Sequence, residues 1–230
     1  MSGRIGVIGA MEEEVSTLIP ALKDHAEQKI GIVVYHVGKL DGREVVIARS
    51  GIGKVNAALT AAEMIRTFGA TAIVNTGVAG ALEDSLNPED AVIATDLVQH
   101  DYDTTPFDPP GFVSGVGLVR FPADPVISAA AADAARALGM RVMTGTVASG
   151  DQFISDAGKK ESIRERFGAL ACEMEGAAIA HVCYLLGARC GVIRTISDRA
   201  DGKAEVDFPS FAAHAAALNA EIVRRVLPLI

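Results

Sequence analysis

The chain has 230 residues, half of them hydrophobic, no Trp, and a formal net charge of −8 at pH 7. A chain of this length buries one large core, and an α/β sheet of this size ordinarily forms one domain, here residues 1–230. The acidic balance and the lack of a basic cluster exclude a broad nucleic-acid or anionic-membrane surface.

Cys172, Cys183 and Cys190 sit in apolar runs with neither zinc-ribbon nor CxxC spacing, which predicts buried free thiols in a reducing compartment. The five histidines are scattered without an HExxH arrangement, so no metal is assigned and no cofactor is called for. The N-terminus lacks a basic stretch leading into a long apolar run, and no apolar run is long enough to span a bilayer. The cytoplasm is the expected location.

In chain order, Arg4 to Ala10 reads as a buried strand leading into Met11-Glu-Glu-Glu, where Val15, Leu18, Ile19 and Leu22 follow helical spacing. Glutamates in a first turn suit the helix dipole. Glu13 lies opposite the apolar stripe; Glu12 and Glu14 flank it, and periodicity does not choose between them. Residues 31–37 and 44–50 are β-rich and joined by a hairpin signal at Asp41-Gly42. Ser50-Gly-Ile-Gly-Lys then opens a helix to about Phe68, and its amides could bind an anion, although no complete P-loop is present. Residues 71–75 form the next buried strand, followed by a second small-residue turn over 76–81. Ala91 to Gln99 is strand-like. His100 to Phe112, with two Phe and three Pro, is an irregular loop of the kind that is functional or interfacial. An Ala-rich helix over 124–138 ends at Gly139, and a strand over 141–148 ends in Ser149-Gly-Asp-Gln-Phe. Phe153 there suits either the core or stacking on a flat ring.

Residues 170–175 alternate, so Glu173 and Glu175 share one face if the segment is extended. A helix starts near Gly176. Ionised carboxylates are rarely buried unpaired, so this pair needs backbone amides, a cation or a hydroxyl-rich ligand such as ribose. Arg194, inside the apolar strand 190–198, is the obvious cationic partner, as a structural salt bridge or as a site cation. Ser197-Asp198 ends that strand, and an Ala-rich helix from about Phe208 closes the chain. Ligands of α/β sheets bind outside the carboxyl ends of the strands. Four such ends, near Met11, Val78, Phe153 and Asp198, together suit cleavage of an N-glycosidic bond. That reaction needs an acid for the leaving base, a carboxylate for water, and tolerance of an oxocarbenium-like ribose.

The segments Gly9-Ala-Met-Glu-Glu-Glu-Val15, Ser50-Gly-Ile-Gly-Lys-Val55, Ser149-Gly-Asp-Gln-Phe-Ile154, Glu173-Met-Glu175 and Arg194-Thr-Ile-Ser-Asp198, in that order, resemble the bacterial 5′-methylthioadenosine/S-adenosylhomocysteine nucleosidases. The resemblance implies a nucleoside phosphorylase-like α/β fold with three layers, in which a mixed, partly barrel-like sheet is flanked by helices. It implies that Asp198, supported by Ser197, protonates adenine and that Glu14 activates water. Glu175 would bond the ribose hydroxyls with Met174 on the sugar, and Glu173 and Arg194 would sit beside ribose and water. Phe153 would stack on adenine while the Ile154 backbone reads its edge. Met11, Ile52, Val78, Ala79 and Phe208 complete the implied binding set. Many members of the family carry Ser where this chain has Val78, so a hydroxyl expected to help hold the water is missing. The resemblance also implies a homodimer in which an apolar residue, here Phe107, reaches the neighbour's pocket. Rival readings are an aminodeoxyfutalosine hydrolase using the same residues, a nucleoside phosphorylase, and a non-catalytic nucleoside-binding module.

Overall fold

The computed structural model describes residues 3–200 and 204–230, without the side chains of 204–210 and 212. Strands β1 (Arg4–Gly9), β4 (Arg43–Arg49) and β5 (Ala70–Ala81) lie parallel at its centre and are buried on both faces. Their apolar runs therefore split residue by residue between two cores. Ile5, Val7, Val45, Ile47, Ala72 and Val74 face one core. Ile8, Val46, Ala48 and Ile73 face the other.

The first core is completed by α1 (Glu12–Val15), α3 (Pro125–Ala137) and α6 (Ala204–Val226). The second is covered by α2 (Lys54–Arg66) and α5 (Gly176–Leu186). The result is helix, sheet, helix. The remaining strands are β2 (Lys23–Ile30), β3 (Val33–Leu40), β6 (Ala91–Gln99), β7 (Arg120–Pro122), β8 (Val142–Ser149), β9 (Ala171–Glu173) and β10 (Arg189–Asp198), and α4 (Ala157–Phe167) precedes β9. β5, β10, β6, β8 and β9 close on themselves, because β10 pairs with both β5 and β6 while β9 bridges β8 and β5. β1, β4, β3 and β2 continue outward from β5 as an open flange. The sheet is mixed and partly barrel-like, as the resemblance implies.

The ends of α3 follow from local chemistry. Asp124 accepts from the Val126 and Ile127 amides at 3.0 Å, Pro125 occupies the first turn, and Gly139 leaves the helix at φ 81°. Three expectations fail. The helix expected through Leu22 is a single turn: the chain leaves it at Ser16 and turns again only as a short 3-10 segment over Ile19–Ala21. Leu18 and Leu22 are nevertheless buried, so the spacing reported burial and not helix. Residues 76–81 are no turn: they extend β5 in register with β10. Finally, extension stops at Glu173, and Glu175 sits at φ −135° and ψ −43° as the cap of α5.

Candidate active site

The carboxyl ends of β1, β5, β8, β9 and β10 surround a cavity of ≈ 210 Å³. Met11 and Glu14 enter it from α1, Ile52 from the turn before α2, and Val78 and Ala79 from β5. Phe153 stands on the wall after β8, half exposed. Glu173, Met174 and Glu175 come from the β9–α5 junction, and Ser197 with Asp198 from the end of β10. Ala10, Gly80 and Cys172 also line it, and the sequence pattern did not single them out. Ile154 borders a smaller adjoining pocket that shares Phe153, Glu173, Met174 and Asp198 with this one.

Glu14 is 3 % exposed and its position is set entirely by backbone. Its Oε2 accepts from the amides of Ala10 (2.6 Å) and Met11 (3.0 Å), and its Oε1 from the amide of Val78 (3.1 Å). Gly77 permits this approach, since a Cβ there would lie 2.5 Å from Glu14 Oε1. Burial raises the Glu14 pKa against the opposing pull of Arg194 and the three amides. Glu12 and Glu13 are exposed, and Glu12 pairs with Arg49 at 3.3 Å on the surface.

Glu173 is heavily bonded. It pairs with Arg194, accepts from the Ser149 hydroxyl, and accepts from the amides of Glu175 (3.1 Å) and Gly176 (2.8 Å). Burial opposes its charge, but Arg194 and these donors prevail and hold it below the usual carboxylate range. Glu175 has the opposite fate. Burial and then the neighbouring Glu173 charge push it up to about 7, against the amide of Gly53 at 2.8 Å. Arg194 does not reach the cavity wall. It is 1 % exposed, sits behind Glu173, and also donates to Asn75 and to the Ile193 carbonyl (3.1 Å). Its Nη1 lies 3.2 Å from where a Gly77 Cβ would be, on the same side as Glu14 Oε1, so its charge also acts on the carboxylate expected to handle water.

Asp198 is buried: Oδ2 accepts from the Ser197 hydroxyl at 2.8 Å and Oδ1 from the Ala200 amide at 2.9 Å. Its Oδ1 packs 3.0 Å from where a Gly80 Cβ would be, as Glu14 packs on Gly77. Two of the amides expected to suit an anion are already committed. Gly53 donates to Glu175 and Lys54 to Asp151 (2.8 Å), while the Lys54 ammonium bonds Asp101 at 2.6 Å.

Two further members of the implied set are not placed at the cavity. Phe107 is 90 % exposed on the irregular loop, and the Phe208 side chain lies outside the described residues.

A family model described as "Phosphorylase superfamily" matches residues 4–228. An aminodeoxyfutalosine nucleosidase of Campylobacter jejuni is 42 % identical, with 97 % of each chain covered. A 5′-methylthioadenosine/S-adenosylhomocysteine nucleosidase of Bacillus velezensis is 38 % identical over 97 % of this chain and 98 % of its own. The crystal structure of the Neisseria meningitidis 5′-methylthioadenosine/S-adenosylhomocysteine nucleosidase in complex with methylthio-immucillin-A superposes with a TM-score of 0.95. It is 39 % identical over 99 % of both chains. Sequence, fold and the composition of the cavity agree, and the chain belongs to the phosphorylase superfamily, among its 5′-methylthioadenosine/S-adenosylhomocysteine and aminodeoxyfutalosine nucleosidases.

Proposed function

We propose that the chain is an N-glycosidase that hydrolyses 5′-methylthioadenosine and S-adenosylhomocysteine to adenine and the 5-thio-substituted ribose. The observation that carries this reading is the pair of buried carboxyl groups, Glu14 from α1 and Asp198 from β10, which line one cavity and pack on Gly77 and Gly80 of β5. Asp198, held by Ser197, protonates the departing adenine, which leaves as a neutral base. The ribose gains positive charge as the bond lengthens, and the surrounding carboxylates stabilise it electrostatically. Glu14 takes a proton from the water that attacks the anomeric carbon. The water stands on the Glu14 side of the cavity and the purine on the Asp198 side.

Glu175 accepts from the ribose hydroxyls, with Met174 against the sugar. Phe153 flanks the base, and Ile154 offers backbone at the smaller adjoining pocket. Glu173 and Arg194 form the buried ion pair that fixes the β9–α5 junction, and so they aim Glu175. Val78 contributes through its amide, which orients Glu14, and its side chain supplies no hydroxyl for the water.

One assignable unit spans residues 1–230 in this reading, and it works as a homodimer in the cytoplasm. Val55 and Leu59 on α2 and Tyr184 and Leu185 on α5 are exposed beside each other's helix, with Phe107 on its loop. Apolar exposure of that kind suits a second copy. No described helix is long and apolar enough to cross a membrane, and the three cysteines are buried and free.

Aminodeoxyfutalosine is the second reading, favoured by the Campylobacter relative at 42 % identity. Adenine release measured side by side from 5′-methylthioadenosine, S-adenosylhomocysteine and aminodeoxyfutalosine tests the proposal. Turnover of the two thio-nucleosides supports it; turnover of aminodeoxyfutalosine alone selects the second reading, and no adenine from any of them defeats both.

A further inference from the structure

Away from the cavity, the hairpin of β2 and β3 gathers His25, Glu27 and His36, none of which the reaction uses. His25 and Glu27 stand two apart on β2 and share a face, and Glu27 lies directly opposite His36. His25 meets His36 on the diagonal, a reach that long side chains span across strands. Gly38 keeps this diagonal open: a Cβ there would lie 2.7 Å from the Lys23 carbonyl oxygen and 3.5 Å from the His25 Cα. The register also slips between Lys23 and Ala26, with Asp24 at φ 53°. Irregularities of this kind re-aim the side chains beside them.

Three ligand atoms converge as a result. His25 Nε2 is 3.0 Å from His36 Nδ1, and Glu27 Oε1 is 3.4 Å from His36 Nδ1 and 3.9 Å from His25 Nε2. A tetrahedral ion with bonds of ~2.0–2.1 Å to nitrogen and oxygen sets its ligands about 3.3–3.4 Å apart. The three separations straddle that value. We propose that His25, Glu27 and His36 bind a borderline divalent cation of the Zn²⁺ class, with a fourth position open to solvent.

The donor chemistry supports this class. Two imidazole nitrogens with one carboxylate disfavour Mg²⁺ and Ca²⁺, which take oxygen. Without a cation, the His25–His36 contact needs a proton between the two nitrogens. On binding, that proton moves by way of solvent to the other nitrogen of its own ring, so both imidazoles stay neutral, and both lone pairs turn to the metal while Glu27 offsets its charge. Glu27 side-chain exposure of 60 % gives the ion an entry path. Binding would also pin β2, which is exposed along nearly its whole length, to its neighbour. The sequence pattern concealed the set because only the hairpin brings His36 to the His25-Ala-Glu27 segment.

The test uses the untagged chain, stripped with a chelator and titrated with Co²⁺, with Zn²⁺ as competitor. The expected result is one Co²⁺ per chain with ligand-field bands of a four-coordinate nitrogen and oxygen site, displaced by Zn²⁺. His25→Ala and His36→Ala should each weaken binding at least ~100-fold, the upper end of what loss of an outer-shell partner alone does. Glu27→Gln should weaken binding and alter the bands. His214→Ala is the control, an exposed histidine 3.6 Å from Glu89 that should leave binding unchanged. Circular dichroism establishes that each variant is folded. Absence of the bands at excess Co²⁺, bands that survive both β2–β3 histidine variants, or equal loss in His214→Ala would each overturn the proposal.

Discussion

Glu175→Gln should make the ligand-free protein more stable while it damages catalysis, and only at neutral to alkaline pH. Burial and the Glu173 charge raise the Glu175 pKa from 4.5 to about 7. The folded chain therefore binds this proton more tightly than the unfolded chain does. The contribution to stability is complete below about pH 4.5 and is lost as pH rises through about 7. Each pKa unit is worth ~1.4 kcal/mol, so the full loss is roughly 3 kcal/mol. Glutamine keeps the acceptor for the Gly53 amide and removes the ionisation, but its own NH₂ group must find a partner in a buried place. Half the ceiling is a reasonable yield. At ~2–4 °C per kcal/mol for a chain of this size, the variant should melt about 3–6 °C above wild type at pH 8.5. The two should converge near pH 4.5. Thermal unfolding followed across pH without ligand measures it, and adenine release by the same variant should fall sharply because the ribose hydroxyls lose a carboxylate. A stability difference that is independent of pH, or larger in acid, would refute the electrostatic account of Glu175.

Asp198→Asn should still bind adenine nucleosides, measured by calorimetry with an unreactive analogue, yet lose at least ~10²-fold in turnover, the usual contribution of a general acid. Glu14→Gln should abolish hydrolysis, whereas exposed Glu13→Gln should change stability by only tenths of a kcal/mol and leave the rate alone; equal losses would misplace the base. Ser149→Ala removes both the hydroxyl donor to Glu173 and the acceptor of the Ala177 amide (2.7 Å), and should cost about 1–3 kcal/mol in denaturant unfolding. Sedimentation should find a dimer at assay concentration, and Phe107→Ser should raise KM without changing the melting temperature of the dimer. A fully active monomer would rule out the role of the second copy.

The central strands were legible because burial on both faces leaves continuous apolar runs, as in β1, β5 and β6. The start of α5 at Gly176 and the ends of α3 were legible because caps and turn glycines act locally. β2 was not, since an edge strand of Lys, Asp, His, Glu and Gln shows no apolar alternation. α4 was not, because only Lys160, Ile163 and Phe167 of its mostly charged face are buried. At the cavity, spacing alone left Glu12 and Glu14 undecided; the amides of Ala10, Met11 and Val78 converge on Glu14 through contacts between β1, α1 and β5 that no local pattern encodes. Gly77 and Gly80 read as a turn for a related reason. Glycine marks close approach as readily as it marks a bend, and here the approaching groups are Glu14 and Asp198, distant in sequence.

The most direct measurement concerns the nucleophile. A phosphorylase must hold an anion beside the anomeric carbon, and a facing carboxylate in a desolvated pocket opposes that by several kcal/mol. Glu14 lines the cavity, and in the proposed reading it occupies that place; Arg194 is committed to Glu173 and Asn75, and the Gly53 and Lys54 amides already serve Glu175 and Asp151. Product analysis by mass, with 5′-methylthioadenosine as substrate and with phosphate present or absent, should give adenine and free 5-methylthioribose at the same rate in both. A ribose-1-phosphate product, or a rate that requires phosphate, would contradict the assignment of Glu14 to water.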